Sequence, residues 1–249
     1  MEINIEDAPE SEEPKDDRPD FTTVPVLRGK FEAQILLEKL RKLLPEGAAY
    51  ICGGYVRWMC SPRYEPVLPK DVDVYCENEE VFDKVVEWMR TQNMTEASSD
   101  MSISFKVKKD EPSHPFFCLP PIQIIRPMKV ARIVTNGTLE SILANFDFTV
   151  IRIGWIGGTF ALADKDFIEH ETDKRLVIKN IHCPISSSFR FMKYYKKGYF
   201  PKMTEIVKLF LDWDGRPEDY RLKILQLVEK KDNLTEKEIM ELEALMRID

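Results

Sequence analysis

The sequence predicts an α+β body, a mixed or antiparallel sheet flanked by helices, followed by a small all-helical C-terminal part. Three observations carry this. Up to residue 182, short apolar or period-two runs alternate with segments of helical spacing. From Pro184 onward, helical spacing takes over. Glycine and proline punctuate the joints between pieces.

The elements follow in order. FEAQILLEKLRKLL (Phe31–Leu44) has helical spacing and stops at Pro45 and Gly47. AAYIC (Ala48–Cys52) is a short apolar strand, followed at once by Gly53-Gly54 and YVRWMC, which opens a helix. After a proline-bearing loop, DVDVYC (Asp71–Cys76) alternates acid and apolar residues and reads as a strand. NEEVFDKVVEWMRTQN is an amphipathic helix with Asn78 as its cap and acids in its first turn. SISFKV (Ser102–Val107) and IQIIR (Ile122–Arg126) are further strands, separated by a loop that holds His114 and four prolines. A helix near Thr138–Ala144 leads into a strand from Asp147 to Trp155. The Gly157-Gly158 turn and TFALA complete a hairpin, and RLVIKN (Arg175–Asn180) is a shorter strand candidate. Four helical patterns then close the chain: SSFRFMKYYKKGY, TEIVKLFLDW, EDYRLKILQLVEKK and TEKEIMELEALMRI. The expected organisation is an acidic tail over 1–20, a body over 21–182 and a helical domain over 183–249.

Charge narrows the function classes. The first twenty residues hold nine acids against Lys15 and Arg18, so this segment alone carries the −7 of the whole chain. The rest is near neutral, and acidity does not exclude an anionic substrate. The tail has the composition of a disordered segment and offers one route to a protein partner, the C-terminal helices another. No apolar run approaches the length of a membrane span, and the N-terminus is acidic rather than signal-like, so a cytoplasmic protein is expected. The five cysteines form no CxxC pair and read as core residues. The three histidines, His114, His170 and His182, read as surface or loop residues with no zinc-ligand spacing, and the four tryptophans read as core.

Asp71 and Asp73 stand two apart on a strand, so both face the same side while Val72 and Val74 face a core. Two neighbouring acids repel unless a cation lies between them, and Mg²⁺ takes one or two carboxylates plus phosphate oxygens. A bare acid–apolar–acid strand is most often merely solvated. Its position gives it weight. Gly53-Gly54 lies upstream, where backbone N–H groups can approach phosphate, and Asp147 opens a later strand as a third carboxylate. Three acids are what two metal ions need to activate a hydroxyl and steady a departing pyrophosphate.

These motifs resemble the signature of the DNA polymerase β-like nucleotidyltransferase superfamily: GGYVRWM, a spacer, then KDVDVYC. Within it the sequence is most similar to the head of tRNA CCA-adding enzymes and bacterial poly(A) polymerases. Gly53-Gly54-Tyr55-Val56-Arg57, Asp71-Val72-Asp73 and Asp147-Phe148-Thr149 match that head's motifs, and Pro184–Tyr199 is similar to the helix that follows it. The resemblance spans about Ala48 to Phe200. It implies a nucleotidyltransferase palm and an enzyme that moves a nucleoside monophosphate from an NTP to an acceptor hydroxyl. A two-metal Mg²⁺ site (Mn²⁺ as substitute) on Asp71, Asp73 and Asp147 is implied with it, and an RNA end, tRNA above all, as acceptor. Two departures bear on the acceptor. Asn145-Phe146 stand where CCA-adding enzymes have paired arginines before DFT, and no Glu-Asp-x-x-Arg motif with the family's spacing is present. Transfer to a protein or small molecule, and a non-catalytic binding or inhibitor protein, therefore remain as alternatives.

Other residues carry two readings each. Arg57 either contacts triphosphate or makes a structural salt bridge. Lys70 enters the acid strand and is either exposed or near the site. Thr149 and Arg152 either face a nucleotide or pair across the hairpin. Gln123 and Arg126 lie on one strand, with Arg126 either near the acids or at an edge. Arg190, Lys193 and Lys197 share one helical face, interleaved with aromatic residues. The resemblance implies that this face meets the nucleotide phosphates; nucleic-acid backbone contact with base stacking, or a merely solvated basic helix, are the other readings.

Overall fold

The computed structural model describes residues 20–29, 31–44, 48–63, 65–130, 133–181, 184–219 and 221–222. Residues 1–19 of the acidic tail, His182, Cys183 and most of the last two helical patterns lie outside them.

Chain order begins with β1 (Phe21–Pro25), α1 (Phe31–Leu43), β2 (Ala49–Cys52), α2 (Gly54–Cys60), β3 (Val72–Cys76) and α3 (Glu79–Arg90). Helix α1 buries Ala33, Leu36, Leu37 and Leu40, the stripe that its spacing predicts. Helix α3 starts where the Asn78 side chain accepts from the Val81 N–H at 3.0 Å. Then come β4 (Thr95–Ser98), β5 (Ser102–Lys106), β6 (Ile122–Ile125), a small hairpin of β7 (Lys129–Val130) and β8 (Ile133–Val134), and α4 (Leu139–Ala144). The chain continues through β9 (Ile153–Trp155), β10 (Phe160–Asp164), α5 (Phe167–Thr172), β11 (Arg175–Leu176), α6 (Pro184–Tyr195), β12 (Phe200–Pro201) and α7 (Met203–Asp214).

Eight strands form one mixed sheet in the order β1-β10-β9-β2-β3-β6-β5-β4. Every pairing is antiparallel except β3 with β6 at the centre. One face carries the main core: Ile51, Val72, Val74, Ile122, Ile124, Ile153 and Trp155 pack with α1, α2 and α3. The other face carries a smaller core, where α4 sets Leu139, Ile142 and Leu143 against Tyr50 and Cys52. Across this second face, Leu162, Gly154, Cys52, Asp73, Gln123 and Ser104 stand opposite one another strand by strand. Asp73 therefore sits mid-sheet on the less covered face. A third cluster joins Phe148, Val150, Leu176 and Ile178 to Tyr194 and Tyr199, across the joint expected at residue 182.

The α+β fold with a mixed, helix-flanked sheet is as the sequence predicts, with differences in detail. The segment 147–155 is not one strand. Phe148 makes an isolated bridge to Ile178, Thr149–Ile151 curl into a 3-10 turn, and strand pairing begins at Ile153. The turn sends Phe148 and Val150 into the third cluster and Ile153 and Trp155 into the main core, a redirection that continuous alternation would not allow. Strand β1 escapes sequence reading because only Val24 of its five residues is buried. Cys52, Cys60 and Cys76 are buried and Cys118 is exposed; Trp58 and Trp155 are buried, whereas Trp88 and Trp213 are half-buried. Among the described residues, no helix is long and apolar enough to cross a membrane.

Candidate active site

Gly53 ends β2 and turns the chain into α2 with φ of +75°, a conformation that side-chain-bearing residues rarely adopt. Its N–H donates to the Ile153 carbonyl at 2.8 Å. A Cβ at Gly53 would lie 3.4 Å from the Phe146 ring and 4.0 Å from Asp73 Oδ2, so the turn passes directly over the acid. Gly54 faces open space.

Asp73 opposes Cys52 on one side and Gln123 on the other. Among the described residues, neither the Asp73 nor the Asp71 side chain makes a hydrogen bond or ion pair. Burial and the neighbouring Asp71 charge push the Asp73 carboxyl up to about 7, with Lys193 opposing the shift. Two neighbouring carboxylates on one strand face, with Asp71 at the edge of a cleft, are a donor set that fits a hard divalent cation.

That cleft has a volume of about 660 Å³. Asp71, Lys70 and Gly54 lie along it, Lys193 and Tyr194 of α6 and Lys197 in the turn after it also line it, and Lys174 borders it. The Lys197 ammonium lies 5.4 Å from the Tyr194 ring centroid. Partial burial, together with the Arg57, Lys193 and Lys174 charges, brings Lys197 down to about 8.

The structure treats Asp147 differently. Its side chain is buried and receives Ser187 Oγ and Arg190 Nε, each at 2.8 Å. Among the described residues, no three Asp, Glu, His or Cys side chains converge on one point. Asp147 is thus engaged by an α6 arginine and serine, while burial first, and then both Asp73 and Asp147, raise the pKa of the Tyr75 hydroxyl. Arg190 accordingly faces Asp147, and only Lys193 and Lys197 of the three basic residues line the cleft.

Arg57 resolves to its structural reading. It is 1% exposed, and its guanidinium grips both Glu65 oxygens, Glu171 at 2.9 Å and the Tyr199 hydroxyl at 2.7 Å. Lys174 Nζ joins at 3.1 Å to Glu65 and 3.1 Å to Tyr199, and Ser61 Oγ donates to Glu171 at 2.7 Å. Burial works against the Glu65 charge, yet the hydrogen bonds and charges of Arg57 and Lys174 hold it at about 2. Arg57 floors the cleft with its charge already committed. Nothing in the sequence marks Glu65, Glu171, Lys174 and Tyr199 as partners, because they lie 8 to 142 residues from Arg57.

Thr149 also departs from its assignment to the nucleotide. It is fully buried, and its hydroxyl contacts His170 Nδ1 at 2.9 Å. His170 in turn is buried rather than a surface residue, and burial lowers its pKa. Arg152 pairs across the hairpin with Asp164. Arg126 stacks over Phe82 of α3, on the sheet face opposite Asp73, and bonds to Ser98 and Ser99. His114 bridges the Gln92 carbonyl and the Phe116 N–H.

Comparison with known proteins adds the family and the fold. Residues 28–174, more than half of the chain, match the model of the Gabija anti-defense 2 family (Gad2). Among curated protein sequences none matches. Solved structures with the same fold include a Thermotoga maritima CCA-adding enzyme complexed with tRNA. It is 14% identical, with 93% of this chain and 55% of that one covered at a TM-score of 0.56. A CCA-adding enzyme in apo form I aligns at 17% identity, 91% and 55% coverage and a TM-score of 0.54. A CCA-adding enzyme in complex with ATP aligns at 15% identity, 90% and 51% coverage and a TM-score of 0.52. The chain spans about half the length of these proteins, and the likeness establishes a nucleotidyltransferase-like fold.

Proposed function

This chain belongs to the Gabija anti-defense 2 family, and we propose that it counters that defence as a Mg²⁺-dependent nucleotidyltransferase. The observation that carries this reading is the acid pair Asp71 and Asp73. Among the described residues neither side chain has a hydrogen-bond or ion-pair partner; Asp73 lies beside the glycine turn, and Asp71 lines a cleft that Lys193 and Lys197 also line. In this reading an NTP binds in the cleft, its phosphates neutralised by Lys193 and Lys197 and its backbone approach allowed by Gly53-Gly54. Asp71 and Asp73 are the residues that would hold the divalent ion. Such an ion supplies Lewis-acid stabilisation and lowers the pKa of a bound hydroxyl. An acceptor oxygen attacks the α-phosphorus, one P–O bond forms as another breaks, and pyrophosphate leaves. The chain's own share of the work is positioning and charge neutralisation. Arg57 and Asp147 act by fixing the α2 turn and α6 around the cleft, and the helical part from residue 183 supplies the basic wall.

The acceptor is a hydroxyl of an RNA end, as the resemblance to CCA-adding heads implies, or of a component of the defence system, as the family's description suggests. A labelling experiment separates them: the full chain with each α-labelled NTP, Mg²⁺ or Mn²⁺, and RNA or lysate of cells bearing the defence. Label in RNA supports the first, and label on a protein or small molecule the second. A second reading, nucleotide-dependent or purely protein-directed inhibition without transfer, is favoured by one observation: Asp147 is bound by Arg190 and Ser187, leaving two carboxylates rather than three. If Asp73→Asn leaves protection against the defence intact in cells, transfer is not the activity and the second reading stands.

A further inference from the structure

Part of the cleft lining away from α6 is a loop whose root and tip have opposite characters. At the root, the Glu65 carboxylate is clamped by Arg57 and Lys174, and its carbonyl accepts from Trp58 Nε1 at 3.0 Å. Arg63 Nε ties the same root to the Thr172 carbonyl at 2.7 Å. At the tip, Val67 is 78% exposed and Leu68 38% exposed, yet both line the cleft. Pro66 and Pro69 bracket them and fix φ at both flanks, so the tip is an apolar prong on a pinned base. The same cleft holds Lys193, Lys197 and Lys174, and its volume of about 660 Å³ suits a small-molecule ligand. A ligand matching both features is anionic at one end and flat and apolar at the other.

Resting on the reading of the cleft as an NTP site, we infer that Val67 and Leu68 are the platform for the nucleobase. They select it by contact area rather than by hydrogen bonds. Aliphatic side chains have no donor or acceptor with which to read a base edge, while any base face gains from apolar contact. Purines, with the larger face, bind several-fold tighter than pyrimidines, and adenine and guanine bind alike.

The test is equilibrium binding of ATP, GTP, CTP, UTP and inorganic tripolyphosphate to the full chain with Mg²⁺. It is run for the wild type, for Val67→Ser with Leu68→Ser, and for Leu68→Phe. The double variant is expected to lose roughly tenfold for ATP and GTP and less for CTP and UTP. Tripolyphosphate should be unchanged, and Leu68→Phe should tighten the purines. Three results overturn the inference while leaving the NTP site intact: nucleotide affinities unmoved by the double variant, tripolyphosphate affinity falling in parallel, or a single base favoured by more than about fiftyfold. Wild-type protein that binds neither nucleotide nor tripolyphosphate overturns the NTP site itself, and the inference with it.

Discussion

Two groups of buried or half-buried acids in this molecule are treated in opposite ways. Glu65, Glu171 and Asp147 are each matched by cations and hydroxyls within hydrogen-bond reach, so their charges hold elements together. Among the described residues Asp71 and Asp73 have no such partners, and burial together with the Asp71 charge pushes the Asp73 carboxyl up to about 7. The first group spends its electrostatics on architecture. The second leaves two neighbouring carboxyls whose mutual repulsion no cation within hydrogen-bond reach relieves among the described residues. Acid residues are common in both places, so satisfaction, not residue type, separates structure from site.

The largest effect that tests this contrast comes from the satisfied group. Arg57→Met leaves Glu171 buried with only the longer Lys174 contact, at 3.5 Å, as counter-charge, and a loss of about 3–5 kcal/mol is expected in urea denaturation. Combining it with Glu171→Gln should restore part of that loss. A cost below about 1 kcal/mol would show that Arg57 is not a keystone. In the unsatisfied group, Asp73→Asn should lower nucleotidyl transfer on the order of 10²–10³-fold without lowering stability. Its pH signature has a definite sign. A folded-state pKa raised to about 7 means that the folded chain holds a proton that the unfolded chain releases near pH 4. Asp73 therefore makes stability fall as pH rises from about 4 to about 7. The Asp73→Asn variant should lack this slope when the two proteins are denatured at pH 5 and pH 8.

Next in size is Lys197. Its pKa of about 8 lies below the ordinary lysine value, and a bound triphosphate favours the charged form. Nucleotide affinity should fall by up to about tenfold per pH unit above pH 8. The Lys197→Arg protein, which keeps its charge, should show a flat profile by titration calorimetry. The smallest effect expected is that of Ser187→Ala, which removes one hydrogen bond to Asp147 at about 1 kcal/mol. Mn²⁺ affinity, followed by electron paramagnetic resonance, should stay unchanged. A clear drop would move Asp147 into the unsatisfied group.

The sequence shows what is local. Helices α1 and α3, the glycine turn, the acid strand and the hairpin at Gly157-Gly158 all have period, cap or turn residues within a few positions of one another. The nucleotidyltransferase-like fold was legible from the order of those motifs. Side-chain partnership was not, since the residues that bind Arg57, Thr149 and Asp147 come from the loop after α2, from α5, from α6 and from the residues just beyond α6. The 3-10 turn at Thr149–Ile151 was hidden because its residues are as apolar as a strand's, and only the existence of two separate cores explains the break. Edge strand β1 lacked the pattern because an edge need bury only one side chain.

The separation of Arg57 from Tyr199 has a consequence for how the protein is made. Their hydrogen bond closes a loop of 142 residues, and that to Glu171 one of 114. Long-range contacts of this kind form late, and a chain emerging from the ribosome supplies its N-terminal segments first. The main core draws on residues from Val24 to Phe167 and can begin to gather while Tyr199 is still unsynthesised. The floor of the cleft cannot. A nascent chain halted between these points has a glycine turn and an acid strand but an arginine still lacking Tyr199. Competence to bind would then switch on only after the α6 segment and Tyr199 have been made and have docked.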